Sequence, residues 1–475
     1  MSGQPRSAVL LAVLTAGITP YGLLQTMVVP ALPAFQRELG ASTTWTTWVL
    51  TSFLVTASVA TPILGRLGDQ YGRRRLLLAT LVVFLVGCVG ATLAWDIWSL
   101  IAFRAVQGVG GAMYPLAFAV VRDQLPRDRV GFGLGVISGT AGVGGGLGLI
   151  LSGLIVDHLS WRWIFAASAI AVGIALVLTW LVVPHSQRQP RTRPDMAGAG
   201  LLAAGLVCLL LALTEAQAWG WASARILGLF AAAAVVFGLW WRVELRVAAP
   251  LVDMRMLGRR PVLLTNLVAL VAGFGMFATF VPVPLLAEVP RGLEPEVARL
   301  VDYGFGASAT VTGLLILPAS ISIVIAGPLA GALGQRLRAR SLIAVGLALM
   351  AVGTGALALF HDEPWQVLLT MVPWGTGMGF VLALMPRVIT DAVEIEQTGV
   401  ATGINSVMRT VGQVIGGQVV AAILAGTLLA GTEVPAESGF VAAFWASTGA
   451  TLVALVVALG LPRHRAPRAV VSARA

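Results

Sequence analysis

Asp69, followed at spacings of four and five by Arg73 and Arg74, is the densest meeting of opposed charge in the chain, and Asp123 offers the same guanidinium groups a second carboxylate. Such a cluster is suited to a latch, made in one conformation and broken in another. Gly65, Gly68 and Gly72 surround it, permitting a tight turn and close helix approach, and Asp69 can face the positive N-terminus of a helix. A second kind of chemistry belongs to Arg104 and Arg409, which stand inside apolar runs. Charge at that depth is costly unless it faces a polar interior or a partner, so both are candidates for contact with a solute. Gln25 should reach a depth similar to Arg104 and offer it an amide oxygen. Asn405, Arg409, Gly412, Gln413 and Gly416 are spaced to share one helical face, with Asn266 in an earlier apolar run as a further polar candidate. The competing role for these polar groups is glue between helices.

Other chemistries lack their residues. No nucleophile with a base stands in an apolar run, which argues against an intramembrane enzyme. His158, His185, His361 and His464 fall at the ends of runs or outside them, and Cys88 and Cys208 lie in separate runs. Neither a metal site nor a disulfide framework is expected, and no cofactor is implied.

The elements that position these side chains must be membrane-crossing helices. The chain has 475 residues, 57% hydrophobic and 11% charged, with mean hydropathy +0.89. That composition excludes a soluble protein, and apolar runs near the roughly 20 residues needed to cross a bilayer disfavour a β-barrel. Fourteen helices are predicted: 8–30, 45–64, 76–95, 97–121, 131–156, 163–183, 196–213, 226–243, 261–286, 307–333, 341–360, 365–388, 398–429 and 440–461. The first begins after only Arg6 and lacks a small-residue cleavage site, so it reads as a retained helix.

All 31 basic residues are arginines, and with both termini on one side that side receives 24 of them. The opposite loops hold Arg37, Arg162, Arg225, Arg291 and Arg299. The positive-inside rule then makes the termini cytoplasmic and accounts for the net charge of +10 without nucleic acid. Tryptophans including Trp45, Trp95, Trp98, Trp161, Trp163, Trp219 and Trp365 fall at outer helix ends, as an interfacial belt would. The polar loop Glu288 to Gly306 is either a solvated connection or an outer gate.

The stretch Gly65-Arg66-Leu67-Gly68-Asp69 has a weaker echo in Gly331-Ala332-Leu333-Gly334-Gln335, at the ends of the second and tenth helices. This register divides the chain into an N-terminal six-helix bundle (1–183), a linker with two inserted helices (184–260) and a C-terminal six-helix bundle (261–475). Duplicated halves around a midplane cavity suit a secondary transporter, one half rocking against the other.

Residues 65 to 75 resemble the cytoplasmic loop signature of the major facilitator superfamily, Gly-x-Leu-Ala-Asp-Arg-x-Gly-Arg-Lys. Arg104-Ala-Val-Gln107-Gly108-Val-Gly110 resembles the family's Arg-x-x-Gln-Gly-x-Gly signature, which adds Gln107 to the cavity candidates. Gly144, Gly148 and Gly153 align with the glycines of its antiporter signature, with Leu149 where proline stands and Ser152 where glycine stands. Glycine-rich packing alone accounts for them equally well. With Trp161-Arg162-Trp163 and Glu244-x-Arg246-x-x-x-Pro250-Leu251-x-Asp253, the chain looks like the fourteen-helix drug:proton antiporter branch. The resemblance implies an all-α polytopic membrane protein of the plasma membrane, exporting drugs or antibiotics at the expense of the proton gradient, working as a monomer on small-molecule substrates. One departure matters. Gln25 occupies the place of a titratable acid in the first helix, so coupling would fall to an edge carboxylate such as Asp69, Glu215 or Glu288. An uncoupled importer on the same fold is the alternative. Arg104 and Arg409, without buried acids beside them, point to a cavity of neutral or positive potential. Phe274, Met276, Phe277 and Trp374 are candidates for its apolar wall or for plain core.

Overall fold

The computed structural model describes residues 4–184, 195–247, 250–289, 303–429 and 434–462. The membrane-length helices are α1 (Gln4–Met27), α2 (Thr43–Tyr71), α3 (Arg73–Thr92), α5 (Arg127–His158), α6 (Arg162–Val182), α7 (Met196–Trp219), α8 (Ala224–Glu244), α9 (Arg260–Phe280), α10 (Ala309–Leu333), α11 (Ala339–Leu359), α12 (Pro364–Ala392), α13 (Thr398–Ala425) and α14 (Glu437–Ala458). Among the described residues, thirteen helices are each long and apolar enough to cross a bilayer. The fourth predicted span, α4, is the interrupted one: Ile97–Gly108 passes through a 3-10 turn at Val109–Ala112 into Met113–Gln124. The interruption falls where Gly110 packs on Tyr21 and Phe84 and Gly111 on Thr61 and Ala57, contacts that leave no room for a Cβ.

These helices form because a backbone in hydrocarbon must satisfy its own N–H and C=O groups. Polar residues mark where they start: Asp96 and Ser99 close a capping box on α4, and Asp195 caps α7. Three buried apolar clusters organise the bundle. One draws on α1–α6, a second on α9–α14 with Leu149 of α5. The third joins α7 and Trp240 of α8 to α9 and α13, with Val55, Val59 and Ile63 of α2 packed on it. The inserted helix α7 therefore lies along the seam where α2 of one half meets α13 of the other, while α5 meets α10 on the opposite side.

Several sequence-based boundaries shift. The first helix ends at Met27, and the chain turns into a short amphipathic helix, Leu32–Leu39, that the apolar pattern did not predict. That helix corrects the place of Trp161. Instead of joining the interfacial belt it is 1% exposed, edge-on to Phe35, with its indole N–H donating to Glu38 at 2.8 Å. Trp95, Trp98, Trp163 and Trp365 remain exposed as expected. Residues 185–194, 290–302 and 463–475, with most of the polar loop Glu288 to Gly306, lie outside the described residues.

Candidate functional site

Asp69 sits in the last turn of α2, at the end of the molecule that carries most of the arginine-rich loops, here called the basic end. Gly72 makes the turn into α3 with φ +105°, a conformation L side chains rarely adopt. The turn brings Arg73 back onto Asp69: Nε and Nη2 donate to Oδ1 at 3.2 and 3.1 Å, and Nη1 pairs with Asp123. The other oxygen, Oδ2, accepts from the backbone amides of Gly399 (2.9 Å) and Val400 (3.3 Å), the first turn of α13. Asp69 thus faces a helix N-terminus, and that helix belongs to the other half. Arg73 also donates to the carbonyl of Ile395, and Arg122 to Val393 and Glu394 carbonyls and to Thr398. Gly65 makes the approach possible, since a Cβ there would lie 2.6 Å from the Gly399 carbonyl oxygen. Gly68 accommodates Leu116. Arg74 turns outward and donates to the Trp180 carbonyl of α6.

The echo at 331–335 has a corresponding contact. Gly331 abuts Gly131, Gln335 donates to the Asp128 carbonyl, and Arg387 Nη1 donates to the Gly331 carbonyl at 3.3 Å. The end of α2 meets the start of α13, and the end of α10 meets the start of α5, with amide chemistry replacing the carboxylate in the second case. Both contacts close the basic end.

Away from them the halves separate around a cavity of about 780 Å³. Gln25, Arg104, Asn405, Arg409 and Gln413 line it, together with Met276, Phe277, Phe280 and Trp374. Wall residues at its far end include Pro30, Pro33, Pro284 and Glu288. The expected hydrogen bond from Arg104 to Gln25 is absent. Arg104 instead donates from Nε to the Val49 carbonyl (3.1 Å) and from Nη1 to Gln107 (2.7 Å), stacked on Phe53 at 4.1 Å. The α2 backbone reaches the guanidinium because Gly108 lets α4 lie against Phe53. Two cavity candidates sit behind the wall. Gln107 is fully buried and holds Arg104 from one side and the Gly87 carbonyl from the other. Asn266 accepts from Asn405 at 3.0 Å, joining α9 to α13. Phe274 packs against Gly412 and Gly416 at that same junction.

The glycines of α5 face two ways. Gly144 and Gly148 pack on Gly22 and Thr26 of α1, Gly153 on Thr310 of α10. Ser152, where the signature has glycine, donates to the Met27 carbonyl. Facing α10, Gly131, Gly135 and Gly142 meet Gly331, Gly327 and Ile323.

Several functional contacts escaped sequence reasoning. Arg122 and Arg387 read as topogenic arginines, and only their places at helix ends next to Asp123 and Asp391 hinted otherwise. Tyr21 and Tyr114 line the cavity without any motif. At the far end His361, Asp362 and Glu437 bring ligand atoms within 4.8 Å of one another, a grouping that spacing did not suggest, with His361 Nε2 paired to Glu437 at 3.0 Å. The Glu244 motif has a structural role: its carboxylate accepts from Trp240 Nε1 (2.9 Å) and the Val252 amide (3.2 Å), and Arg66 donates to Pro250 in the loop so held. Glu244→Ala leaves two buried donors unpaired and should destabilise the protein by about 2–4 kcal/mol. Trypsin should then cut faster at Arg246 or Arg255, and an unchanged cleavage rate would contradict this role.

Comparison with known proteins agrees with this architecture. The family model for the Major Facilitator Superfamily matches residues 14–304 and 267–475. A protein of Mycobacterium tuberculosis (strain ATCC 25618 / H37Rv), described as an uncharacterized MFS-type transporter, is 34% identical over 420 residues. The alignment covers 86% of this chain and 58% of that protein, so the chain spans well under two thirds of that relative's length. Multidrug resistance protein 3 of Bacillus subtilis (strain 168) is 29% identical over 409 residues, covering 85% of this chain and 77% of the relative. The tetracenomycin C resistance and export protein of Streptomyces glaucescens is 27% identical over 427 residues, covering 88% and 75%. Among solved structures, the human organic anion transporter MFSD10 (TETRAN) superposes with a TM-score of 0.64 at 14% identity, covering 95% of this chain and 99% of that one. That likeness concerns the fold.

Proposed function

Because the chain belongs to the Major Facilitator Superfamily, we propose that it is a secondary active exporter of drug-like small molecules, working by alternating access and driven by the proton-motive force. The observation that carries this reading is the cavity between the halves, sealed at the basic end by contacts from each half to the other. Its volume suits a drug-sized solute, and the relative named as an export protein supports the direction of transport. With the basic end cytoplasmic by the positive-inside rule, the structure corresponds to an outward-facing state. Release of the Asp69 and Arg122 contacts would open the cavity inward. The cell membrane is the expected location, and a single chain holds the whole cavity.

Proton coupling in this reading falls to Glu288, the one carboxylate on the cavity wall among the described residues. Glu215 is buried in α7, away from that wall, and Asp69 is committed to the latch. Inverted vesicles should accumulate a substrate on energisation and lose it to an uncoupler. Glu288→Gln should remove the uncoupler's effect while facilitated flux remains; an uncoupler effect equal to that of the parent chain would exclude Glu288. The rival is uncoupled movement on the same fold, favoured by Gln25 in place of a titratable acid. Accumulation that an uncoupler leaves untouched would decide for it.

A further inference from the structure

Among the described residues, four in the cavity wall carry a buried polar atom without a partner: Arg104 and Trp374, which can only donate, and Ser138 and Thr312, whose hydroxyls can also accept. Arg104 is 0% exposed and has two of its donors occupied, yet its Nη2 has no hydrogen-bond partner. On the other half, the indole Nε1 of Trp374 in α12 is likewise buried without an acceptor, and Trp374 is 2% exposed. Arg409 of α13 lines the same space, and the described residues give it neither an ion pair nor a hydrogen bond. Guanidinium and indole N–H groups cannot accept, so what satisfies them must bring lone pairs or negative charge. The wall itself supplies one carboxylate, Glu288, which is exposed at the far end. Gln25 adds none. Two guanidinium groups therefore face the cavity from opposite halves without a buried counter-charge, in surroundings where an unpaired charge is costly.

We propose that this cavity is a binding site for organic anions. The ligand class is an amphiphile with a carboxylate or sulfonate head and an aromatic or aliphatic body. The head lies between Arg104 and Arg409 with Trp374 as a neutral donor, and the body rests on Met276, Phe277 and Phe280. Planar guanidinium groups suit the two oxygens of such a head. The arrangement also links occupancy to movement. Closing the empty cavity brings two like charges together in a low-dielectric space, whereas a bound anion removes that opposition. The inference rests on the exporter reading for its physiological meaning only, since binding is measured independently of transport.

The test uses the purified full chain in nanodiscs and three probes sharing one ring system: 2-naphthoate, 2-naphthamide and 2-naphthyltrimethylammonium. Calorimetry should show naphthoate bound at least about tenfold more tightly than the amide, with the ammonium weakest and the preference shrinking as salt rises. Arg104→Gln and Arg409→Gln should each weaken naphthoate about tenfold or more and leave the amide within about twofold. Arg104→Lys should recover part of the loss. If Arg104 variants fail to insert, Arg409→Gln and the charge series decide. Equal or tighter binding of the ammonium, equal losses for all three probes, or no naphthoate binding by a chain that binds the amide would each overturn the proposal. Parallel uptake by inverted vesicles separates the two readings. Anion binding without transport would refute export and keep the site, while pumping of the amide without anion binding would do the reverse.

Discussion

Asp69→Asn should reduce transport at least about tenfold, in protein that inserts normally, and shift the resting population away from the state closed at the basic end. The carboxylate is 1% exposed on its side chain and accepts four N–H groups, two from Arg73 and two from the start of α13. Asparagine keeps one acceptor and substitutes a donor for the other. Whichever way the amide turns, an NH2 group meets either a guanidinium or the helix amides. Removing one partner of a buried pair costs about 3–5 kcal/mol when the remaining charge is left uncompensated, and because Arg73 keeps Asp123 the cost here falls at or below the lower end of that range. Part of that cost is relieved by opening the latch, and about 1.4 kcal/mol of differential stability moves the equilibrium tenfold. Spin labels near the basic ends of α2 and α13 should report a longer distance in the variant. A distance distribution and transport rate matching the parent chain would remove the latch from the mechanism.

The second large effect is steric. Gly135→Val should abolish measurable transport, a fall of at least about a hundredfold, without preventing insertion. A Cβ at Gly135 would meet the Gly327 carbonyl group and lie 3.1 Å from the Pro328 Cα, so backbone rather than a mobile side chain blocks it. The two helices concerned come from different halves, and each half keeps its own apolar cluster. The variant should therefore fold as two sound halves that cannot approach along α5 and α10, a state readable as lost crosslinking between them. Gly173→Val on α6 is the control, because a Cβ at that position would meet nothing within 4 Å. If Gly135→Val transports as well as that control, close approach of α5 and α10 is dispensable.

How much of this was legible in the sequence depends on what each feature owes to the bilayer. Span positions follow from apolar length, and the depths of Arg104 and Arg409 follow from counting along a helix. Helix ends were less legible: the Leu32–Leu39 helix that covers Trp161 has only eight residues, with Gln36, Arg37 and Glu38 among them, too short and too polar to register as an apolar run. Gln107 and Asn266 illustrate another limit. Periodicity says which residues share a face, but whether that face borders a cavity or a neighbouring helix depends on packing. Here Gly87 and Asn405 occupy the space beside them. The seam position of α7 was equally hidden, since an apolar helix carries no mark of which groove it fills. Ion pairing of Arg73 with Asp123 was readable as charge complementarity, whereas the partners across the halves were not.

Most of those cross-half partners are main-chain groups, the amides of Gly399 and Val400 and the carbonyls of Val393, Glu394 and Ile395, and the Thr398 hydroxyl is the side-chain exception. Every amino acid except proline presents the same pair of atoms, so substitutions at 394–397 can drift without compensating changes at 69, 73 or 122, whereas Thr398 is held by Arg122 and a Cβ at Gly399 would meet the Gly65 carbonyl oxygen. A search for correlated mutation between the two halves would pass over most of this contact, and a deep mutational scan should find 394–397 tolerant in side chain, Gly399 intolerant of any, and the turn sensitive to proline and to any insertion that moves it.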